Sequence, residues 1–330
     1  MKILLTGGAG YIGSVLTFDL LQKGHSITVL DRLMFGGESL VPFVEHPKFS
    51  LIVGDIRDKT LVNKSLKNID CVIHLAALVG EPACRENPRT TRQINFEATK
   101  QLALLAKREG VRKFIFSSTC SNYGISDVSQ EATEETPLNP LSLYSETKIA
   151  AEKFILSQKS GKFSPTVLRL ATIFGLSPRM RFNLMVNEMA RDAVFGKEYS
   201  IRNENAWRPF LHVKDAADAI AQILISKKKS GDIFNIVSQN VQKKDLVKLL
   251  KKVNRKVQVT IDEGGKDDKR DYRVSAQKFK KTFHWKPKFS VENGFMEIYE
   301  AVNSGVFVDT QEFRWNGWFD KSVFEEKFKL

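Results

Sequence analysis

The stretch Thr6-Gly7-Gly8-Ala9-Gly10-Tyr11-Ile12-Gly13 decides the fold. The apolar run Ile3-Leu4-Leu5 enters it, and Ile12, Val15, Leu16, Leu20 and Leu21 leave it at helical spacing. A second apolar run, Ser26-Ile27-Thr28-Val29-Leu30, ends at Asp31. Strand, glycine turn, helix, strand and acid, in that order, are the fingerprint of a dinucleotide-binding βαβ unit. Glycine lets the turn close, lets backbone approach a pyrophosphate, and lets helix and strand pack tightly. Free N–H groups at the helix start hold the phosphates. Asp31 is placed to accept hydrogen bonds from both hydroxyls of an adenine ribose and to repel a 2′-phosphate. NAD is therefore favoured over NADP, a preference that neighbouring Arg32 weakens.

The 330 residues suffice for a large α/β unit with a smaller partner, and 42% hydrophobic content supports a substantial core. A net charge of +13 suits a polyanion such as a nucleotide-diphosphate sugar, or a nucleic acid. An ordinary lysine surface accounts for most of it. Lys227-Lys228-Lys229 and Lys280-Lys281 read as exposed helix ends without a recognition module, so no specific nucleic-acid partner is expected. Cys71, Cys84 and Cys120 are scattered and lack metal-ligand spacing. They read as reduced thiols of a cytoplasmic protein that binds no metal. The apolar stretch after Lys2 is broken by glycines and Asp19 and reads as strand and helix rather than a signal peptide. No run of about 18 apolar residues marks a membrane span.

Further along, Phe49–Val53 is a third strand closing on Gly54-Asp55-Ile56. There Asp55 is placed to accept an adenine amino group and Ile56 to pack on the ring, while Asp58 caps the next helix. A fourth strand, Asp70–Ala77, ends in small residues that let a cofactor pass close. His74 reads as a packed strand-end histidine ahead of an acid or base. A long helix is expected over Asn87–Arg108, stopped by Gly110. Its polar exception, Asn95, either hydrogen-bonds backbone near the site or is a plain helix residue. A fifth strand ends at Ser117-Ser118-Thr119, and a loop of some twenty residues precedes a helix opening at Leu143. The alternation predicts a Rossmann-type parallel sheet wound on both faces. Residues 1–175 form its dinucleotide-binding domain, with 209–237 returning to it. Residues 176–208 and 238–330, ending in a Trp/Phe-rich tail from Phe313 to Phe328, form a smaller, interleaved substrate lobe.

Tyr144 and Lys148 lie four residues apart and project from one helix face. A tyrosine with its ordinary pKa of about 10 is a poor base at neutral pH. A nearby ammonium and a positive nicotinamide favour its phenolate. With a hydroxyl from Thr119, the pair would take a proton from a sugar hydroxyl while its carbon gives hydride to NAD.

These residues together resemble the extended short-chain dehydrogenases that act on nucleotide sugars, the NAD-dependent epimerase/dehydratases. The likeness runs through the glycine turn, Gly54-Asp55-Ile56, His74-Leu75-Ala76-Ala77, Phe116 to Gly124, Tyr144 with Lys148, and Arg208 to Asp215. It implies a catalytic triad of Thr119, Tyr144 and Lys148. It implies cofactor contacts at Gly7, Gly10, Tyr11, Ile12, Gly13, Asp31, Arg32, Asp55, Ile56, Leu75, Ala76, Ala77, Asn95 and Ser117, shared with Tyr144 and Lys148. Asn183 and Leu184 fall where the family contacts the nucleotide sugar, and Arg208 where an arginine meets the diphosphate.

Three departures narrow the chemistry. Family 4,6-dehydratases carry Asp-Glu after the threonine, and decarboxylases a glutamate two residues on; here Cys120-Ser121 stand. Cys120 reads as a small buried thiol. Thr172 replaces an asparagine that helps hold substrate. Arg169 to Thr172, Ser177 to Arg181 and Asp268 to Tyr272 are similar to a subgroup of sugar-nucleotide 4-dehydrogenases and epimerases that includes GDP-heptose 4-dehydrogenase. In that setting Arg179, Arg181 and Arg270 would neutralise the diphosphate, with structural ion pairing as the other reading. The expectation is NAD-dependent oxidation at C4 of a nucleotide-diphosphate sugar, by a 4-epimerase or 4-dehydrogenase of surface-polysaccharide sugar biosynthesis. The resemblance also implies a homodimer, built through the Asn87–Arg108 and Leu143–Gln158 helices. A non-catalytic NAD sensor is disfavoured by the retained Tyr144 and Lys148, and a 4,6-dehydratase by Cys120-Ser121.

Overall fold

In the computed structural model, which describes residues 1–226, 231–262 and 270–307, the chain opens with β1 (Lys2–Thr6), α1 (Tyr11–Gln22) and β2 (Ser26–Asp31). Then come β3 (Phe49–Val53), α2 (Lys59–Ser65), β4 (Cys71–His74), α3 (Glu81–Glu86) and α4 (Pro88–Arg92). A π-helical turn over Gln93–Ala98 leads into α5 (Thr99–Arg108), β5 (Lys113–Thr119), β6 (Glu131–Ala132), α6 (Leu143–Ser157) and β7 (Ser164–Leu170). Next are β8 (Thr172–Phe174), α7 (Met185–Phe195), β9 (Tyr199–Arg202), β10 (Trp207–His212) and α8 (Val213–Ile225). The described chain finishes with β11 (Ile233–Ile236), β12 (Gln239–Gln242), α9 (Lys243–Val253), β13 (Val259–Asp262), β14 (Arg273–Val274), α10 (Gln277–Phe283) and α11 (Val291–Asn303). The Lys227-Lys228-Lys229 run, Asp268-Lys269 and the aromatic tail lie outside the described residues.

Seven strands pair in the order β11-β7-β5-β4-β1-β2-β3, every pair parallel. This is the doubly wound sheet that the alternation predicts. Strand order reverses between β1 and β4, and a ligand crevice opens at such a switch point. Ile3, Leu4 and Leu5 of β1 have no exposed surface, because a central parallel strand is covered on both faces. Leu16 and Leu20 of α1 pack one face with Ala217 and Ile220 of α8. Leu102 and Leu105 of α5 pack the other with Ala151 and Ile155 of α6. Each buried leucine or isoleucine here contributes about 1.5–3 kcal/mol, so the helices are fastened along their length.

After β7 the chain leaves this sheet and returns to it at β11. Between and beyond, β8, β10 and β12 make a three-stranded sheet, β9 pairs with β13, and β6 with β14. A third core forms around Phe182, Val186, Met189, Phe210 and Phe295. Tyr11, the first residue of α1, packs into it. Among the described residues, no helix is long and apolar enough to cross a membrane.

Two elements differ from the sequence expectation. The fourth strand stops at His74 rather than Ala77, because the amides of Leu75 and Ala76 both turn to Thr6 O, at 3.0 and 3.1 Å. The helix expected over Asn87–Arg108 is divided. Pro88 starts α4 at a position where its missing N–H costs nothing, and the π turn then adds a residue to one helical turn.

Behind the ends of β5 and β7 lies a buried polar network. Glu152 of α6, 2% exposed, pairs with Arg169 of β7 at 2.8 Å. The carboxylate also accepts from Ser118 Oγ of β5 and, at 2.8 Å, from Asn122 Nδ2. Arg169 Nη1 donates to the Tyr123 hydroxyl at 2.9 Å, and that hydroxyl meets Asn235 Oδ1 of β11 at 2.8 Å. Removing one member leaves an unpaired buried charge. Arg169→Met is expected to cost about 3–5 kcal/mol in urea unfolding, and Glu152→Leu combined with it clearly less than the sum. A single-variant loss under about 1 kcal/mol would show that the pair does not hold α6.

Candidate active site

The glycine turn lines a cleft of about 1150 Å³. Gly7 has φ +77°, and a Cβ there would sit 2.7 Å from Ala76 N. A Cβ on Gly13 would collide with the Gly7 carbonyl. Gly10 caps α1 without a side chain, so the first amides of the helix are left for a ligand. Ile12, Leu75, Ala76 and Ala77 complete this wall. Asp31, at the end of β2, accepts from Ala9 N at 3.0 Å and Leu33 N at 2.9 Å. Burial pushes its pKa up, and these amides oppose the rise. A close-approach turn, uncapped amides and a carboxylate one strand away fit a dinucleotide in size and chemistry.

Asp55 and Ile56 also line the cleft, but the Asp55 carboxylate is shared. Arg57 holds it at two points, 3.0 and 2.8 Å, and Arg32 reaches it at 3.2 Å. Burial alone would raise its pKa; the two guanidinium groups reverse that and hold it low. Arg32, which also lines the cleft, is thus turned toward Asp55.

Asn95 corrects the sequence expectation of a cofactor contact: it is 1% exposed and is not part of the cleft wall. Its Oδ1 accepts from Leu78 N at 2.8 Å and its Nδ2 donates to Leu78 O at 2.9 Å. It therefore fixes the loop after β4, which does line the cleft. His74 is packed between Thr6 Oγ1 at 2.6 Å and Thr99 Oγ1 at 2.8 Å. Burial, with Lys148 adding to it, pushes it down to about 3, so it stays neutral.

Thr119, Tyr144 and Lys148 meet in the same cleft beside Ser117 and Ser118. Ser142 caps α6 through Ser145 N, which sets Tyr144 in the first turn and Lys148 one turn later. Lys148 Nζ donates to Ser117 O at 2.9 Å and lies 4.6 Å from the Phe116 ring centroid. It is 5.8 Å from the centroid of the Tyr144 ring. Burial dominates both pKa values: it pushes the Tyr144 phenol up and pushes Lys148 down to about 8. The cation that pulls Tyr144 back is the Arg181 guanidinium, rather than the Lys148 ammonium that the sequence suggested. Thr119 Oγ1 accepts from Ser121 N at 3.0 Å, leaving its hydroxyl proton to donate into the cleft. Cys120 turns away, its Sγ 3.1 Å from Arg169 O.

Thr172, Arg181, Asn183, Leu184, Arg208 and Arg270, the residues expected at the substrate, line the same cleft. Arg181 Nε reaches Asn183 Oδ1 at 3.3 Å. Arg208, 3% exposed, donates to Trp207 O at 2.9 Å and to Arg270 O, and Arg270 Nη1 lies 3.4 Å from Ser121 Oγ. Arg179, expected beside them, stands instead with its guanidinium 4.0 Å over the Phe35 ring, on the Asp31 side. Phe35, Glu188 and Tyr199, which the sequence did not single out, also line the cleft, as does Ser121. Of these, Phe35 had a signal in the sequence, its place four residues after Asp31.

A model of the NAD dependent epimerase/dehydratase family matches residues 3–237. A UDP-glucose 4-epimerase of Halalkalibacterium halodurans is 30% identical over 88% of this chain and 91% of its own. The solved UDP-glucuronic acid 4-epimerase of Bacillus cereus, in complex with UDP-glucuronic acid and NAD, is 25% identical with a TM-score of 0.83, covering 92% of this chain and 99% of its own. A dTDP-glucose 4,6-dehydratase of Bacillus anthracis in complex with NAD has 25% identity and a TM-score of 0.81, over 93% of this chain and 98% of its own.

The depressed Lys148 pKa carries a stability cost with a definite sign. Between about 8 and 10.5 the unfolded chain holds a proton that the folded one has lost, so stability rises with pH across that window. Lys148→Met should therefore raise the melting temperature at pH 7, with the gain fading by about pH 10.5. An advantage constant from pH 7 to pH 11 would contradict this origin.

Proposed function

The chain belongs to the NAD-dependent epimerase/dehydratase family, and we propose that it oxidises C4 of a nucleotide-diphosphate sugar and reduces it from the opposite face, as a 4-epimerase. The observation that carries this reading is the meeting of Tyr144, Lys148 and Thr119 between the glycine turn and the arginine-lined half of one cleft. NAD, when bound, would supply a hydride acceptor and the positive charge of its oxidised nicotinamide. Tyr144 takes the proton of the C4 hydroxyl, and Thr119 donates a hydrogen bond to the same oxygen. Arg181 stabilises the phenolate that forms against the burial that otherwise disfavours it, and the Lys148 ammonium, 5.8 Å from the Tyr144 ring centroid, adds positive charge on the same helix face. Arg208 and Arg270 hold the diphosphate so that C4 stays in place during reversal.

Relatives and solved neighbours that are 4-epimerases support the redox-neutral outcome. Thr172 in the cleft favours a second reading, a net 4-dehydrogenase, since the asparagine that helps hold substrate in the family is absent. Against a 4,6-dehydratase stands the pair after Thr119: the Cys120 thiol faces Arg169 O with its pKa raised by burial, and Ser121 is no carboxylate. The proposal includes a role in surface-polysaccharide sugar supply in the cytoplasm. It also includes a homodimer joined through α5 and α6, where Leu104 is 44% exposed.

A panel of UDP-, GDP-, CDP- and dTDP-sugars, followed at 340 nm (the nicotinamide absorbance) and by product mass, tests the reaction. A product of unchanged mass with no net NADH is expected; loss of two hydrogens would select the dehydrogenase. Tyr144→Phe should lower kcat by about 10²-fold or more, and full turnover by that variant would sink the mechanism.

A further inference from the structure

Arg179 lies within reach of Arg181, but its guanidinium is stacked toward Phe35. Its side chain is 5% exposed, and its guanidinium lies 4.0 Å from the Phe35 ring centroid. Phe35 follows Asp31 in a segment turned by Leu33, at φ 55°, and lines the cofactor half of the cleft with Arg32 and Gly36. Arg179 Nη1 donates to Met180 O at 3.3 Å, and Arg181, Asp31 and Tyr11 are among the charged and polar groups that act on it. Asp31 marks the ribose position and Tyr11 opens the helix whose amides face the phosphates. The cation therefore stands between the ribose-reading acid and the phosphate-binding turn.

The backbone that carries it is pinned on both sides. Tyr11 OH donates to Gly175 O at 2.5 Å, and Ser177 Oγ donates to Tyr11 O at 2.7 Å while lying 3.1 Å from Ser14 Oγ. On the far side, Asn187 Nδ2 donates to Tyr11 OH at 2.9 Å and its Oδ1 accepts from Gly175 N at 3.1 Å. Burial, reinforced by Arg181, pushes Arg179 down to about 9. A bound anion would relieve that penalty.

We propose that Arg179 clamps the pyrophosphate of the dinucleotide from the side opposite the α1 amides. The cofactor is then held between the glycine turn and the 175–187 segment, and leaves only when that segment yields. This rests on NAD dependence and on no particular sugar reaction. A cofactor retained in this way suits a reaction that restores it within each turnover.

The test compares full-length protein with Arg179→Ala, Arg179→Lys and Phe35→Leu. NADH and NADPH binding and release are read by nicotinamide fluorescence, and UDP and GDP binding by calorimetry. Arg179→Ala should weaken NADH binding by about tenfold or more and speed its release, with UDP and GDP affinity changed less than about twofold. Lysine should recover part of the loss, since it restores charge without the fork. Phe35→Leu should give a smaller loss in the same direction. Unchanged NADH binding with weakened UDP or GDP would return Arg179 to the substrate diphosphate and overturn the proposal. Loss confined to NADPH would make it a 2′-phosphate reader and overturn it equally. If circular dichroism shows Arg179→Ala unfolded, the lysine and Phe35 variants decide on the same criteria.

Discussion

The buried pair of Glu152 and Arg169 is the contact on which the geometry of the site depends. Tyr144, Lys148 and Glu152 follow one another at four-residue steps and so form one stripe along α6. Each anchors or faces the end of β5: Lys148 on Ser117 O, Glu152 on Ser118 Oγ, Tyr144 beside Thr119. A stripe with two charged members of three, both buried, would be a poor way to gain stability, since desolvation consumes most of the attraction. What it gains is position. An apolar face could slide by a fraction of a turn; a carboxylate held by a guanidinium, a hydroxyl and an amide cannot.

A second set of contacts ties the smaller lobe to the glycine turn. Tyr11 is at once the first residue of the phosphate-facing helix and a member of the core around Phe182 and Phe210. From the other direction, Glu297 of α11 accepts from Leu176 N at 2.6 Å and meets His212 Nε2 at 2.7 Å, and the His212 ring stacks on Phe289 at 4.3 Å. Single hydrogen bonds of this kind are worth about 1 kcal/mol net. Several on one short segment make it a rigid rim, from which Arg179, Arg181 and Asn183 reach the cleft.

Much of this was legible because it is local. The order of glycine turn, amphipathic helix and acid needs no tertiary information, and four-residue spacing alone puts Tyr144 and Lys148 on one face. The parallel sheet follows from the alternation of apolar runs and helical periods. The division of the arginines was not legible. Arg179 and Arg181 are two residues apart in sequence, and only the pinning of 175–187 against Tyr11 sends one toward Phe35 and the other toward Tyr144. The commitment of Asp55 to Arg57 was within reach, being a contact across two residues. The short strands β8, β12 and β13 carry too few residues for a period to show.

Asn95 has a consequence beyond its own helix. A single amide side chain exchanges both kinds of backbone hydrogen bond with one residue, Leu78, much as a neighbouring strand would. β4 loses its partner on the β1 side after His74, and that parting opens the crevice. Donors and acceptors beyond it would be orphaned away from water. The extra residue of the π turn brings a surrogate strand, one side chain long, to the place where the sheet must come apart. A carboxylate there could accept but not donate, and a glutamine would overreach by a methylene. The gap that admits the cofactor is thus bounded by a helix acting, at one residue, as sheet.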